Sequence, residues 1–306
     1  MPDLSVRVGD VALANPLLAA SGCFGYGLDG DPLLPPEAFG AVVTKTVTPA
    51  PRRGNPPPRL AETAAGLLNS IGLENVGLAA FLDEKLPALA ARGLRPVVSL
   101  AAGSPPEFAA MARALDPAAV LALELNLSCP NVAPGGANFA TDPAAVAVVT
   151  RAVRDAFAGP VWVKLTPNVT DIAEVAAAAA RAGADAVCAI NTLLGMDIDL
   201  ETGRSPFARV TAGLSGPAVL PVALAAVWRI RQAVDVPVVG IGGAASAADV
   251  LKFLAAGADA VQLGTALFSD PGLPGRILAG LEAELERRGC ASIAQLRALW
   301  SAAPDS

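Results

Sequence analysis

The sequence has no histidine among its 306 residues, and that absence removes several kinds of chemistry. Ser-His-Asp and Cys-His catalysis, HExxH zinc sites and imidazole bases all require this side chain. Proton transfer must therefore fall to Cys, Lys, Asp, Glu, Tyr or water. The 4 cysteines, Cys23, Cys129, Cys188 and Cys290, lie far apart in the sequence, so neither a metal site nor a disulfide framework is expected.

Basic residues are too few and too scattered to indicate nucleic-acid binding. Lys and Arg number 22 against 28 Asp and Glu, which gives a net charge of −6 without any long basic run. No stretch of about 18 apolar residues is free of charge and proline, so no membrane span is expected. Residues 1–7 lack the positive region and apolar core of a signal peptide. We therefore expect a cytoplasmic protein.

Short apolar runs alternate with helical patterns along the chain. The runs are nearly continuous rather than alternating, as in parallel strands buried on both faces. They are Pro16–Ala20, Ala41–Thr44, Pro96–Leu100, Val120–Leu125, Val161–Leu165, Ala186–Ile190, Val236–Val239 and Ala260–Leu263. Helices are predicted at Glu74–Ala91, from Ser104, from Asp142 to Phe157, and at Asp171–Arg181, Val219–Val234, Ser246–Gly257, Arg276–Arg288 and Ile293–Trp300. This series predicts a TIM (β/α)8 barrel, with a doubly wound sheet as the alternative.

Three further features complete the predicted architecture. The Gly9-Asp10 turn between alternating apolar residues predicts an N-terminal hairpin that closes the bottom of the barrel. Pro49–Pro58 and Gly195–Gly216 predict loop insertions at the C-terminal face. The motif Ala-Gly-Ala-Asp occurs at 182–185 and again at 256–259, which predicts two equivalent helix-to-strand loops. No linker interrupts the series, so residues 1–306 are predicted to form a single domain.

Small, polar or charged residues stand at the end of every predicted strand, where TIM-barrel enzymes place their active sites. They are Ser21-Gly22, Lys45-Thr46, Ser99, Asn126 with Cys129, Lys164, Asn191-Thr192, Gly242-Gly243 and Gly264-Thr265. The glycines after the seventh and eighth strands are either turn residues or the phosphate site usual at that position. The two lysines are either rim residues or ligands of an anion. The asparagines of Asn69–Asn75 either cap the next helix or bind a planar ligand.

Cys129 is a candidate base because of its surroundings in the sequence. A lone cysteine is usually a small buried hydrophobe, and Cys188 and Cys290 fit that description. Cys129 instead follows a predicted strand and is flanked by Asn126 and Asn131. A thiol in such a polar segment is a candidate for proton transfer.

Assembled, these motifs resemble the dihydroorotate dehydrogenases, flavin enzymes of pyrimidine synthesis. The resemblance rests on NLSCPN at 126–131, NSIGLEN at 69–75, Lys45-Thr46, VKLTPN at 163–168, Asn191-Thr192, GIGG at 240–243 and QLGT at 262–265. Cysteine at position 129 resembles the class 1 enzymes, and Gly135-Gly136 with Phe139–Pro143 resembles class 1B. Class 1B enzymes pass electrons to NAD⁺ through a second chain that carries FAD and a [2Fe–2S] cluster, whereas class 1A enzymes are homodimers that use fumarate.

The resemblance implies a role for each site residue. Cys129 would take the C5 proton of dihydroorotate while the C6 hydride passes to N5 of FMN, with 132–141 as a lid. FMN would contact Ser21, Lys45, Thr46, Ser99, Asn126, Lys164, Ile190, Gly216, Gly242, Gly243, Gly264 and Thr265. The substrate would contact Lys45, Asn69, Ser70, Ile71, Gly72, Leu73, Asn126, Asn131, Asn191 and Thr192. Lys164 would offset negative charge on the reduced flavin, and relatives often carry asparagine at position 99.

The resemblance also implies partners, and other functions stay open. A class 1B chain would form a homodimer core joined to an electron-transfer subunit, as a heterotetramer. The alternatives are a class 1A enzyme, a related FMN-dependent dihydropyrimidine oxidoreductase, and a phosphate-binding barrel without catalysis. No resident metal is expected.

Overall fold

The computed structural model describes residues 2–28, 35–128 and 139–301, and the statements below concern those residues. The strands are β1 Val6–Val8, β2 Val11–Leu13, β3 Leu17–Ala19, β4 Ala41–Val42, β5 Leu60–Thr63, β6 Gly66–Asn69, β7 Val97–Leu100, β8 Ala122–Asn126, β9 Val161–Leu165, β10 Ala186–Ala189, β11 Leu193–Gly195, β12 Ala212–Ser215, β13 Val238–Ile241 and β14 Ala260–Leu263. The α-helices are α1 Gly77–Ala80, α2 Leu86–Ala91, α3 Pro105–Arg113, α4 Pro143–Arg154, α5 Ile172–Arg181, α6 Leu220–Ala233, α7 Ala247–Ala255, α8 Ala266–Ser269, α9 Leu273–Arg288 and α10 Ile293–Ser301.

Eight parallel strands form the barrel. Their order is β4-β3-β14-β13-β10-β9-β8-β7, and the parallel bridges Val43–Val97 and Val47–Leu100 join the two ends of this sheet. Each predicted apolar run overlaps one of these strands, and helices lie between them. The predicted TIM barrel is confirmed, and the doubly wound alternative is wrong because such a sheet would have two free edges.

Several helices begin where the sequence predicts, and a side chain caps the first turn of each. Ser104 Oγ accepts a hydrogen bond from Glu107 N at the start of α3, and Asp142 Oδ1 accepts one from Ala144 N at the start of α4. The helix predicted from Glu74 begins only at Gly77. Asn75 Oδ1 accepts hydrogen bonds from both Gly77 N and Thr48 N, which ties the start of α1 to the loop after β4.

The internal repeat has one structural explanation in both of its copies. Asp185 Oδ2 accepts a hydrogen bond from Val161 N, and Asp259 Oδ2 accepts one from Val238 N. Each aspartate thus stands before one barrel strand and binds the first residue of the strand beside it. The repeated motif therefore aligns neighbouring strands at the bottom of the barrel.

The N-terminal hairpin closes that bottom end. β1 and β2 pair in antiparallel fashion, and Val8, Val11 and Leu13 belong to the same buried cluster as the inward-facing side chains of the barrel, Trp162 among them. Gly9, in the turn, lies against Asp185 O just before β10. The predicted plug is confirmed by these contacts.

The insertions at the C-terminal face contain a second sheet that the sequence did not predict. Its strands are antiparallel in the order β11-β12-β6-β5, and Leu68, Phe207 and Ala212 pack together on it. The sheet carries Asn69 at the end of β6, so it positions a candidate site residue. None of the described helices is long and apolar enough to span a membrane.

Candidate active site

A chain of hydrogen bonds crosses the mouth of the barrel and joins the ends of five strands. Thr46 Oγ1 lies 3.1 Å from Ser21 Oγ, 2.9 Å from Ser99 Oγ and 3.3 Å from Asn126 Nδ2, which donates to it. Asn191 Nδ2 donates to Asn126 Oδ1 over 3.3 Å. These residues follow or end β3, β4, β7, β8 and β10. The mouth therefore has donors and acceptors for a polar planar ligand at its centre.

Two lysines bring positive charge to the same mouth. Burial lowers the pKa of Lys45 below its ordinary value, although Cys23 and Glu74 act in the opposite direction. Burial raises the pKa of the Cys23 thiol, and the charges of Lys164 and Lys45 both oppose that rise. Both ammonium groups thus act on one thiol in the loop after β3, and Lys45 Nζ lies 3.7 Å from a Cβ added at Gly22 in the same loop.

A tight glycine cradle lies beside the start of α6. Gly243 has a φ of +79°, and a Cβ added there would lie 2.7 Å from Leu220 N and 2.9 Å from Gly216 O. Thr265 Oγ1 donates to Ser215 Oγ over 2.8 Å, so the loop after β14 meets the residue that precedes Gly216. Backbone approach this close to the N-terminus of a 14-residue helix is the arrangement that binds phosphate.

The remaining residues predicted to contact the cofactor line the space between cradle and mouth. Ile190 is 2% exposed and its side chain lies 3.4 Å from a Cβ added at Gly242. A Cβ added at Gly264 would lie 3.4 Å from Cys23 Sγ. Ile190 therefore packs beside the cradle, and Gly264 lies beside the loop after β3.

Asn69, at the end of β6, and Thr192, after β10, meet around Gly213 of the small sheet. Asn69 Nδ2 donates to Gly213 O over 3.0 Å. A Cβ added at Gly213 would lie 2.9 Å from Thr192 Cβ and 3.1 Å from Asn69 Nδ2. Thr192 N donates to Asn191 Oδ1, so this group continues into the hydrogen-bonded chain of the mouth.

The segment 70–73 is held by a loop whose role the sequence did not reveal. Asn55 Nδ2 donates to Ser70 O over 2.9 Å and to Ser70 Oγ over 3.0 Å, and Asn55 N donates to Ile71 O over 2.9 Å. A Cβ added at Gly72 would lie 2.7 Å from Asn55 N. The Ser70 hydroxyl therefore supports the segment, while the backbone of Gly72 and Leu73 follows in the same turn.

Two buried polar residues inside the barrel were also missed. Glu124 is fully buried, and Gln262 Nε2 donates to its Oε2 over 2.6 Å. Lys164 Nζ lies 3.7 Å from Glu124 Oε1. A glutamate and a glutamine in the middle of apolar strands are unusual enough to have signalled this cluster.

Some predicted residues lie outside the part of the chain that the structure describes. Cys129, Asn131 and most of the predicted lid fall in the range 129–138. The description resumes with a short 3₁₀ helix, Phe139–Thr141, just before α4. The roles of these residues remain predictions.

FMN fits the groups that the structure does describe. The Gly243 cradle suits its phosphate because the backbone there leaves no room for a side chain. The hydroxyls and amides from Ser21 to Asn191 suit the edges of a flavin ring, and two lysines supply positive charge. The fold and this site together define a (β/α)8 barrel whose C-terminal mouth carries hydroxyls, amides, two lysines and a glycine cradle.

Comparison with known proteins identifies the family. The sequence model of the dihydroorotate dehydrogenase family matches residues 3–285, and the chain belongs to that family. It is 49% identical over 296 residues to the dihydroorotate dehydrogenase B (NAD(+)) catalytic subunit of Geobacter sulfurreducens, covering 96% of this chain and 97% of that protein. The identically named proteins of Trichlorobacter lovleyi and Geotalea uraniireducens are 50% and 49% identical, again over 96% of this chain and 97% of theirs.

Proposed function

We propose that this chain is the FMN-binding catalytic subunit of an enzyme that oxidises (S)-dihydroorotate to orotate in pyrimidine biosynthesis. The observation that carries the proposal is the hydrogen-bonded chain from Ser21 to Asn191, which lies at the same barrel mouth as two lysines and the Gly243 cradle. The names of the close relatives support the same reaction. In this proposal residues 1–306 act as a single domain.

Distinct groups of residues would hold the cofactor. Gly216, Gly243 and Thr265 would bind the phosphate at the start of α6, with Gly242 and Gly264 alongside. Ser21, Thr46, Ser99 and Asn126 would bind the ring, with Ile190 packed beneath the cradle. When bound, FMN would supply the acceptor for the hydride from C6 of the substrate. Lys164 would place a positive charge where negative charge accumulates on reduction.

The substrate would lie where the asparagines meet Lys45. The ammonium of Lys45 would bind the substrate carboxylate, and Asn69, Asn126, Asn131, Asn191 and Thr192 would bind the amide edges of the ring. The backbone of 70–73, held by Asn55, would close one side. Cys129, three residues after Asn126 in the chain, would remove the proton from C5 as general base.

Electrons would leave through a second protein. The relatives are named catalytic subunits of NAD⁺-dependent enzymes, which supports a partner subunit for this chain too. We propose that the partner carries FAD and a [2Fe–2S] cluster, and that two copies of each chain form a heterotetramer. We place the assembly in the cytoplasm, where the reducing conditions suit the free thiols of Cys23, Cys188 and Cys290.

An anaerobic absorbance measurement tests the reaction. Dihydroorotate added to the FMN-loaded chain should bleach the flavin band near completion, and NAD⁺ should restore the band only when the partner subunit is present. Recovery with fumarate on the chain alone would replace this proposal by a class 1A enzyme. Bound flavin that dihydroorotate fails to bleach would point to another pyrimidine as the substrate.

A cysteine pair tests the assignment of the base. Cys129→Ser should bind FMN normally and bleach at least about a hundredfold more slowly, since general base catalysis is worth about 10²–10⁴ in rate. Because only proton transfer is impaired, the deficit should shrink as the pH is raised. Cys290→Ser is the matched control, because Cys290 is buried after α9 and the next residue, Ala291, accepts a hydrogen bond from Asp3 N just before the N-terminal hairpin. An unchanged rate in Cys129→Ser would remove this residue from the mechanism.

A further inference from the structure

Two charged side chains inside the barrel form one electrostatic unit. Among the residues that the structure describes, Glu124 and Lys164 are the only acidic or basic residues that are buried. Glu124 is 0% exposed and Lys164 is 6% exposed. A buried charge is costly unless an opposite charge or hydrogen bonds compensate it. The charge of each residue therefore lowers the free-energy cost of burying the charge of the other.

The contacts of Glu124 hold its carboxylate in one orientation. Gln262 Nε2 donates to Oε2 over 2.6 Å, which directs Oε1 toward Lys164 Nζ at 3.7 Å. Among the described residues Oε1 receives no hydrogen bond from a nitrogen or oxygen donor, although the Cys188 thiol hydrogen-bonds to the Glu124 carboxylate. Burial raises the pKa of the neighbouring Cys188 thiol well above its ordinary value, and the charge of Glu124 adds to that rise. Cys188 is therefore a neutral neighbour that brings no further charge.

Lys164 lies between this carboxylate and the mouth. In the pairing of β8 with β9, Lys164 is opposite Asn126, whereas Glu124 stands two residues deeper in β8. Asn126 belongs to the hydrogen-bonded chain of the mouth, and Lys164 also acts electrostatically on Cys23 there. A ligand bound at the mouth would thus face the ammonium, with the carboxylate behind it.

We propose that Glu124 is a positioning residue that holds the ammonium of Lys164 and offsets its field, so that the bound flavin keeps a low reduction potential. This inference rests on the proposed function. Reduced flavin carries more negative charge than oxidised flavin, so an uncompensated cation beside it favours reduction. An enzyme that passes electrons to NAD⁺ needs a strongly reducing flavin, because NADH is itself a strong reductant.

The test compares the flavin potential in four FMN-loaded proteins: the unaltered chain, Glu124→Gln, Lys164→Met and the double variant. Each is equilibrated anaerobically with reference dyes, so the readout does not depend on turnover. Glu124→Gln should shift the two-electron equilibrium about tenfold toward reduced flavin, which corresponds to a potential about 30 mV more positive. Lys164→Met should shift it in the opposite direction. The double variant should return to within about threefold of the unaltered chain, because both charges are gone.

Controls separate this inference from the proposed function and from folding. Glu286→Gln removes an exposed carboxylate from α9 and should leave the potential unchanged. If Glu124→Gln alone fails to fold, the double variant and Lys164→Met still test the inference. It requires the flavin potential of the double variant to be more positive than that of Lys164→Met. A Glu124→Gln protein that holds FMN at an unchanged potential overturns the inference and leaves the proposed function intact. A chain that binds no FMN overturns both.

Discussion

Gly243→Ala is the substitution that most directly tests the phosphate cradle. The φ of +79° at this position is one that side chains rarely adopt, and the added methyl would meet Leu220 N at 2.7 Å and Gly216 O at 2.9 Å. Ordinary contact with a Cβ begins at 3.4 Å, so the start of α6 would have to move by about 0.7 Å. That movement displaces the N–H groups proposed to bind the phosphate.

The expected magnitude has two separate parts. A left-handed backbone costs an alanine about 1–2 kcal/mol, which lowers the free energy of unfolding whether or not FMN is present. A hydrogen bond to a charged group is worth about 1.5–3 kcal/mol, so losing one from the phosphate should weaken FMN binding by about tenfold or more. The first part acts on stability and the second on affinity.

Gly93→Ala is the matched control because it should lower the stability through its left-handed backbone without weakening FMN binding. Gly93 has a φ of +72°, and no atom lies within 4 Å of a Cβ added there. It follows α2, away from the cradle. FMN affinity is measured by quenching of flavin fluorescence on titration into the cofactor-free chain, and unfolding is measured in urea with FMN absent.

The left-handed backbone should lower the free energy of unfolding by a similar amount in both variants. The close contacts at position 243 should lower it further in Gly243→Ala. Only Gly243→Ala should bind FMN more weakly. Equal FMN affinity in Gly243→Ala and the unaltered chain would show that the cradle is not the phosphate site. An equal loss of affinity in Gly93→Ala would show that the effect comes from general destabilisation.

Two further predictions concern the substrate lysine and the plug. Orotate binding to the FMN-loaded chain should weaken as pH rises through the lowered pKa of Lys45, since only the charged form binds a carboxylate. Lys45→Arg stays charged over this pH range, so its orotate affinity should not fall in the same way. The same dependence of affinity on pH in both proteins would contradict this role of Lys45. Leu13→Ala, in the buried hairpin, should lower the free energy of unfolding by about 2–5 kcal/mol in urea. Leu200→Ala, at a residue 92% exposed, should change it little, and equal effects would refute closure of the barrel by the hairpin.

The barrel was predictable because strands buried on both faces leave a near-continuous apolar signature. For β9 and β14 the predicted bounds, Val161–Leu165 and Ala260–Leu263, are those of the structure. The small sheet left no such signature, since β5 has no buried residue and is defined by its pairing with β6. Strand propensity is weak where distant pairing, rather than burial, holds a segment.

The meeting of the site residues was predictable for a topological reason. All eight barrel strands run in the same direction, so the residues that follow them share one end of the molecule. The sequence could not show that Thr46 lies at the centre of three contacts or that Asn55 holds Ser70. Such pairings depend on side-chain directions set by the twist and tilt of the closed sheet.

Glu124 is a residue of the site that the sequence patterns did not predict, for a different reason. The stretch 120–125 is predicted as an apolar run although it contains one glutamate, Glu124. Its partners, Gln262 and Lys164, come from strands far away in the sequence. A charged residue inside a strand buried on both faces requires a counter-charge or hydrogen-bond donors, which here come from Lys164 in β9 and Gln262 in β14.

Within the described part of the chain, the N-terminal hairpin closes the bottom of the barrel and leaves the C-terminal mouth open. Val8, Val11 and Leu13 fill the far end, so everything that reaches the reaction centre passes through the mouth. In the proposed enzyme, orotate leaves by the route along which dihydroorotate arrived. NAD⁺ would be reduced on the partner subunit, so the reduction and the reoxidation of the flavin are separate half-reactions. Steady-state rates with two substrates should accordingly give the parallel-line pattern of ping-pong kinetics.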